Sequence, residues 1–509
     1  MIKQPNRPNV LFVVFDQMRA DCLTGALSKT VDLPNLKALM DDAVTFTNHV
    51  SVTSPCGPAR ASLLTGQYAM NHRSTRNGTP LPQDKPNLAT ELRSAGIQPL
   101  LYGYTDTSPD PRRFAADDPV LTSYEQVMNG FMEAFELRFD DSRTWRAHLT
   151  ELGYDVPEGQ NIYAPVGGQV DQPAFYKAEH SDTAFLADQV LADLPTRKKG
   201  WCAHVTFIRP HPPFVAPAPY NSICNPDDMP AAVQSGSIED YRMAHPFNGP
   251  AMEHRQVTDM VEGCPNLTAG DATTASVRSI YMGLVAELDY HFGRIISYLK
   301  ETGQYDDTLI IVTSDHGEML GDHHSWGKMH YFDACFRVPL IIRVPSAMAD
   351  ADMAGRRINL PTESIDITPT ILDILGIDVP DTMDGTPLTK LLKGASDTKW
   401  RAYSLSELDF GDPVDPTIWQ TDLNLHSTSC SLAIIRSDSH TLVQFNGDLP
   451  PILFDHTAKG EHENLALNPA FQGVRLELTE ALLRHRMNHA EGQFSRVMIT
   501  SKGLKRGDN

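Results

Sequence analysis

The sequence predicts an α/β protein: a large, mainly parallel β-sheet flanked by helices, with a smaller C-terminal α+β subdomain. Three observations carry this reading. Two continuous apolar runs, residues 10–15 and 309–314, each stop abruptly at an acidic residue, as strands buried on both faces of a parallel sheet do. A stretch between them repeats apolar residues every three or four positions, the period of a helix with one buried face. Beyond about residue 400 the pattern changes to short strands followed by a helix, which marks a separate unit.

The first run, Val10-Leu11-Phe12-Val13-Val14-Phe15, ends at Asp16-Gln17. The long helix sets Val277, Ile280, Tyr281, Leu284, Leu288, Phe292, Ile295 and Leu299 on one face, and Gly303 is its expected stop. The second run, Leu309-Ile310-Ile311-Val312-Thr313-Ser314, ends at Asp315-His316-Gly317, and a third lies at 338–343, bounded by Pro339 and Pro345. A shorter helix is expected to open on Thr368 as N-cap with Pro369 at the first helical position, to carry Ile371, Leu372 and Leu375, and to close at Gly376. Residues 106–270 are rich in Pro, Asp and Gly, and segments such as 210–219 fit neither helix nor sheet. They are expected to be long loops over the sheet rather than a domain. Strands at 432–436, 441–445 and 452–454, a helix at 475–487 and a polar, basic tail complete the chain. The expected division is a catalytic domain at 1–400 and a C-terminal subdomain at 401–509, with no internal repeat.

The 509 residues correspond to a soft expectation of about three domains. A net charge of −21 argues against nucleic acid or anionic membrane as the main partner. Hydrophobic residues at 41% and charged residues at 21% describe a globular chain with a sizeable core rather than a disordered one. No apolar run approaches the ~18 residues of a membrane span, and the N-terminus lacks the pattern of a secretory signal. Seven cysteines, odd in number and without CxxC spacing, argue against a disulfide framework or zinc–thiolate site. A cytoplasmic protein is expected.

Functional groups in parallel α/β sheets gather beyond the carboxyl ends of the strands. Asp16 and Asp315 sit at two such ends, and both are candidate metal ligands with their neighbours Gln17 and His316. Cys56 lies in Ser54-Pro55-Cys56-Gly57-Pro58-Ala59-Arg60-Ala61-Ser62-Leu63-Leu64-Thr65-Gly66, which admits three readings. It is a small buried residue near a helix start, or a thiolate nucleophile with Arg60 holding an anion, or the Cys-x-Pro-x-Arg signature for oxidation of cysteine to formylglycine. For the second reading, the Cys–Arg spacing of three intervening residues is shorter than the five of the phosphatase loop. The signature with its Ala-Ser-Leu-Leu-Thr-Gly extension resembles the sulfatase branch of the alkaline phosphatase superfamily. Met70-Asn71-His72-Arg73, Gly103-Tyr104-Thr105, Pro109-Asp110-Pro111-Arg112, Arg209-Pro210-His211-Pro212-Pro213-Phe214 and Gly327-Lys328, with stretches 307–320 and 452–466, resemble the phosphonate monoester hydrolases within it. Gln17 and His316 fit that group, where arylsulfatases carry Asp and Asn.

The resemblance implies an alkaline phosphatase-like sandwich and a formylglycine-dependent metallohydrolase. Its expected substrates are phosphonate monoesters and phosphodiesters, with promiscuous hydrolysis of sulfate esters and phosphate monoesters. It implies one divalent ion held by Asp16, Gln17, residue 56, Asp315 and His316; the oxygen-rich set with one imidazole favours Mn²⁺ or Ca²⁺. It further implies that Arg60, Asn77, Tyr104, His211 and Lys328 line the anion and leaving-group pocket, with His211 or Lys328 protonating the departing oxygen. Taken alone, His211 between prolines reads as a loop-packing residue and Lys328 as a solvated charge. The implied partners are a small anionic ester, transiently a formylglycine-generating enzyme, and further copies of the chain in a dimer or tetramer. The alternatives are an arylsulfatase or other sulfatase of narrower specificity, a metallophosphatase using unmodified Cys56, and a non-catalytic anion binder. The chain departs from the family at Asp106, between Thr105 and Thr107, where the family carries threonines; a carboxylate there would repel an anion. His323, His324 and His330 read as a polar loop, not a second metal site.

Overall fold

The two apolar runs that end in acids lie side by side at the centre of the molecule. The computed structural model describes residues 7–350, 352–394, 399–458, 460–490 and 497–506. In it β1 (Asn9–Phe15) pairs in parallel with β8 (Thr308–Thr313). On the other side of β1 follow β7 (Cys202–Phe207), β5 (Pro99–Gly103) and β6 (Met132–Glu136), all parallel. Beyond β8 come β9 (Leu340–Arg343), β2 (Val44–Phe46) and β10 (Arg357–Ile358). β9 runs antiparallel to both neighbours, so this eight-stranded sheet is mainly but not wholly parallel.

β6 and β7 fall inside the stretch expected to be loops, and that expectation is corrected. The sequence of β7, Cys202-Ala203-His204-Val205-Thr206-Phe207, interrupts its apolar residues with His204 and Thr206, yet every residue is buried. The His204 ring is satisfied internally, between the Phe12 carbonyl (3.2 Å) and the Thr206 hydroxyl (3.2 Å). A buried polar residue with its partners in place costs little, and it erases the hydrophobic signature of a central strand. β5 ends on Gly103 at φ +104°, where a Cβ would meet the Thr206 carbonyl oxygen at 2.4 Å, so glycine lets the chain leave the sheet here.

Helices cover both faces. The helix Asp271–Glu301 buries all eight of the expected apolar residues, and Gly303 follows it at φ +67°. It packs with Asp182–Asp193 against one face. The helices Cys56–Thr65, Leu88–Ser94 and Ile367–Ile374 cover the other. Thr368 is not an N-cap: the helix begins at Ile367, and the Thr368 hydroxyl donates to the Leu63 carbonyl (2.7 Å) of the neighbouring helix.

The C-terminal subdomain is an antiparallel sheet of β12 (Ser404–Asp409), β13 (Ser431–Arg436), β14 (His440–Phe445) and β15 (Ile452–Asp455). A fifth strand, β4 (Thr53–Ser54), comes from the N-terminal part and pairs in parallel with β12. Cys56 therefore stands two residues beyond a strand of the second sheet and opens a helix lying on the first. A short pair, β3 (His49–Val50) with β11 (Thr362–Glu363), lies nearby. The helix Gln472–Asn488 buries Leu478, Ala481 and Leu482, and the hairpin β16 (Val497–Thr500)–β17 (Gly503–Arg506) follows. No helix among the described residues is long and apolar enough to cross a membrane.

Candidate active site

Parallel register places the two strand-end acids opposite each other. Val14 pairs with Thr313, so Asp16 and Asp315, each two residues further on, meet just beyond the sheet. Gln17 takes the left-handed conformation (φ +67°), and its N–H donates to Asp315 Oδ1 (3.0 Å), tying the two strand ends together. The His316 N–H donates to the same oxygen (2.9 Å).

Two buried carboxylates this close need compensation. Arg60, one turn into the helix Cys56–Thr65, spans them: Nη2 donates to Asp16 Oδ2 (2.9 Å) and Nε to Asp315 Oδ2 (3.1 Å). Its guanidinium lies 4.1 Å over the Tyr104 ring, and the Tyr104 hydroxyl donates to Asp16 Oδ2 (2.5 Å). Arg60 and Tyr104 are fully buried behind the acids. Compensation is unequal. Burial and the neighbouring Asp315 push Asp16 up, beyond what Arg60 and Lys328 offset. Against the cost of burial, His316 and Arg60 hold Asp315 below the usual carboxylate range.

Residue 56 completes the cluster. Cys56 Sγ lies 3.1 Å from His316 Nε2, 2.9 Å from Lys328 Nζ and 3.8 Å from Asp16 Oδ1. The other ring nitrogen of His316, Nδ1, donates to the Gly317 carbonyl (3.0 Å), which fixes the tautomer with Nε2 as the lone-pair nitrogen. Burial keeps this imidazole neutral, down at about 3. Ligand atoms of Asp16, Cys56, Asp315 and His316 all lie within 4.8 Å of one another. Two carboxylates, of which Asp16 is only partly compensated, and a neutral imidazole with an anchored tautomer suit a hard divalent cation. The Gln17 side chain is engaged already, donating to Glu318 and accepting from Lys328 Nζ (2.7 Å).

Gln17, Asn77, His211 and Lys328 line a cavity of about 470 Å³ over the cluster. The Asn77 carbonyl oxygen accepts the Gly57 N–H (2.9 Å) at the start of the helix. The His211 Nδ1 donates to the Pro212 carbonyl. Burial and the nearby Lys328 hold His211 well below its ordinary pKa. The carboxylates around Lys328 and the Cys56 sulfur outweigh burial, so it stays an ammonium. No sequence signal marks Glu318, whose Oε1 accepts the Leu320 and Gly327 N–H groups and so holds the turn before Lys328. Nor does one mark Arg76, Phe139, Arg255 and Met329, which also form the cavity wall. None of them belongs to a motif, and no periodicity marks them.

Asp106 is buried beside the cluster in the left-handed conformation (φ +46°), with Oδ2 3.7 Å from Arg60 Nε. Burial raises its carboxyl well above the ordinary range despite Arg60, which weakens the repulsion that an ordinary carboxylate would exert on an anion here. The Cys56 thiol is likewise pushed well up, by burial and then by Asp16, the reverse of what a thiolate nucleophile needs. His323 is held by the Tyr241 hydroxyl (2.7 Å) and stacked on Phe332. His330 also stacks on Phe332, as packing residues do.

The sulfatase family model matches residues 8–377. The chain is 38% identical to the multifunctional alkaline phosphatase superfamily protein PehA of Trinickia caryophylli, over 98% of this chain and 99% of that protein. Among solved structures, the phosphonate monoester hydrolase SpPMH from Silicibacter pomeroyi superposes with a TM-score of 0.95 at 50% identity, covering 98% of this chain and 99% of its own. The phosphonate monoester hydrolase of Agrobacterium radiobacter gives 0.93 at 38% identity, covering 99% and 100%. With this fold, this cluster and a family match across most of its length, the chain belongs to the sulfatase family of the alkaline phosphatase superfamily.

Proposed function

We propose that this chain is a formylglycine-dependent metallohydrolase that cleaves phosphonate monoesters and phosphodiesters, with overlapping activity on sulfate esters and phosphate monoesters. The observation that carries the reading is the convergence of Asp16, Asp315, His316 and residue 56 within 4.8 Å, with Lys328 Nζ 2.9 Å from the residue-56 side chain. A divalent ion, Mn²⁺ or Ca²⁺, held by Asp16, Gln17, residue 56, Asp315 and His316 would supply positive charge to an anionic ester. Formylglycine made from Cys56 would supply an oxygen nucleophile once hydrated, and a second hydroxyl through which the covalent ester breaks down by C–O cleavage.

The chain's own residues do the rest. Arg60 keeps Asp16 and Asp315 ionised and in place. Asn77 fixes the first peptide of the helix, and with it the direction of side chain 56. The Lys328 ammonium neutralises charge that develops on the transferring group. His211 keeps Nε2 free of the Pro212 bond. Burial and the Lys328 charge hold the ring neutral; an arriving anion opposes the Lys328 charge, so the imidazole takes up a proton from solvent as the anion binds and passes it to the leaving oxygen. Because release of the enzyme breaks carbon–oxygen, phosphorus and sulfur centres are both admitted.

Cys56 is 4% exposed, so an enzyme that oxidises it acts before folding is complete. All seven cysteines are free, which supports a cytoplasmic protein. The exposed Leu476, Leu483 and Met487 on the C-terminal helix support a homo-oligomer. We place the domain boundary near residue 400.

The test is kcat/KM for an aryl phosphonate monoester against the matching aryl sulfate, with metal-replete enzyme and Cys56→Ala as background. A phosphonate preference above about tenfold, ~1.4 kcal/mol of transition-state binding, supports the assignment. The reverse preference makes the chain a sulfatase of narrower specificity. Turnover no higher than that of Cys56→Ala removes residue 56 from the chemistry.

A further inference from the structure

A single buried cation holds the loop that carries His211. Arg209, two residues beyond β7, is 0% exposed. Its Nη1 donates to the His211 carbonyl (3.1 Å) and to the Pro213 carbonyl (3.0 Å), so one guanidinium nitrogen brackets Pro212. Its Nε lies 3.0 Å from Asp182 Oδ2, and its flat face lies 4.6 Å over the Tyr163 ring. Asp182 is 1% exposed, sits in the first turn of the helix Asp182–Asp193 and accepts the Thr183 N–H (2.9 Å). The His211 ring hangs from the same segment, because its Nδ1 donates to the Pro212 carbonyl. The ring orientation is thus set by a peptide that lies between the two acceptors of Arg209.

We propose that Arg209 and Asp182 are positioning residues for His211, holding the peptides around Pro212 so that the imidazole presents Nε2 to the leaving group in the cavity. This rests on the reading of His211 as the proton donor. Stability alone does not call for such a pair, since a buried ion pair is often replaced by apolar residues without loss. A lysine keeps the charge but cannot present the planar fork that meets a carboxylate and two carbonyls together.

Proton donation matters most when the leaving alcohol is a poor one, which separates positioning from general damage. We would measure kcat/KM for phosphonate monoesters whose leaving groups run from 4-nitrophenol to phenol, using metal-replete wild type, His211→Ala, Arg209→Lys and Asp182→Asn. The expected result is a steeper dependence on leaving-group acidity in all three variants. Arg209→Lys and Asp182→Asn should lose about tenfold or more on phenol relative to 4-nitrophenol, and His211→Ala should set the upper limit. Asp182→Asn keeps the shape of the side chain and serves if Arg209→Lys does not fold. If His211→Ala steepens the dependence while the folded Arg209 and Asp182 variants lower both substrates equally, the positioning role is overturned. If His211→Ala itself leaves the dependence unchanged, the reading of His211 fails and the inference falls with it.

Discussion

Replacing Glu287 with glutamine should change how stability depends on pH, by an amount the structure sets. Glu287 lies in the helix Asp271–Glu301, is 0% exposed, and both carboxyl oxygens are buried without a hydrogen-bond partner. Burial, reinforced by Asp182, pushes the carboxyl from an ordinary 4.5 up to about 8. Below pH 4.5 the group is protonated whether the chain is folded or not, and costs nothing extra. Between pH 4.5 and 8 the unfolded chain releases the proton while the folded one keeps it, so stability falls by about 1.4 kcal/mol per pH unit. By pH 7 the loss amounts to about 3 kcal/mol on this reasoning, and above pH 8 it is complete. Glutamine cannot ionise and removes the slope. Unfolding midpoints in urea, read by pulse proteolysis at pH 5 and pH 7.5, provide the assay. The advantage of Glu287→Gln over wild type should grow by several kcal/mol across that interval, while the titration of groups remote from Glu287 cancels between the two chains. A constant offset, even a stabilising one, would refute the argument, because it would mean that Glu287 ionises alike in both states.

Lys328→Ala should lower kcat/KM by about 10²- to 10³-fold in a folded protein, the usual loss when one donor to the developing charge is removed; steady-state kinetics on the phosphonate monoester measures it. Tyr104→Phe deletes the 2.5 Å hydrogen bond to Asp16 and should weaken metal binding by about 10- to 100-fold, as loss of an outer-sphere partner does; titration of the metal-free protein checks this. Chelation should abolish turnover and lower the thermal midpoint, with Mn²⁺ or Ca²⁺ restoring both; full activity in metal-free protein would sink the mechanism. Asp106→Asn should leave kcat/KM at pH 7 within about twofold, the outcome expected where burial drives the carboxyl toward its protonated form. A tenfold rise would show that Asp106 is charged.

The legible parts of the fold were those where burial writes a continuous or periodic pattern. β1, β8 and the helix Asp271–Glu301 carry uninterrupted or 3.6-spaced apolar residues, and the structure buries them as expected. β7 is as central as β1 but was hidden, because His204 and Thr206 satisfy each other inside the sheet. β6 was hidden for the opposite reason. It is an edge strand, partly exposed, and carries Glu133 and Glu136, which pair with Arg138. The union of β4 with β12 joins residues about 350 positions apart, and no local signal announces such a pairing. Thr368 misled because a hydroxyl before proline reads as a cap, whereas here it bonds a neighbouring helix.

The site follows a different logic, in which the sheet creates a conflict that only certain chemistry resolves. Acids at strand ends could be read from the sequence, but their meeting depends on the parallel register of β1 with β8, which the sequence does not state. Once they meet, burial and mutual repulsion act on both. Backbone N–H groups and Arg60 settle Asp315, while Asp16 stays high although Arg60, Tyr104 and Lys328 all face it. Nearby groups that would add negative charge are shifted toward their neutral forms: burial pushes both the Cys56 thiol and the Asp106 carboxyl up. The arrangement therefore concentrates its demand for positive charge at Asp16 Oδ1, which lies 3.8 Å from the residue-56 sulfur and 4.0 Å from His316 Nε2. Asp16, residue 56, Asp315 and His316 would hold a divalent cation that meets this demand, and its charge would favour an anion beside Lys328 and residue 56. Binding and reactivity are thus consequences of one electrostatic imbalance, and a variant that relieves the imbalance without a metal, such as Asp16→Asn, should fold more stably and lose turnover together.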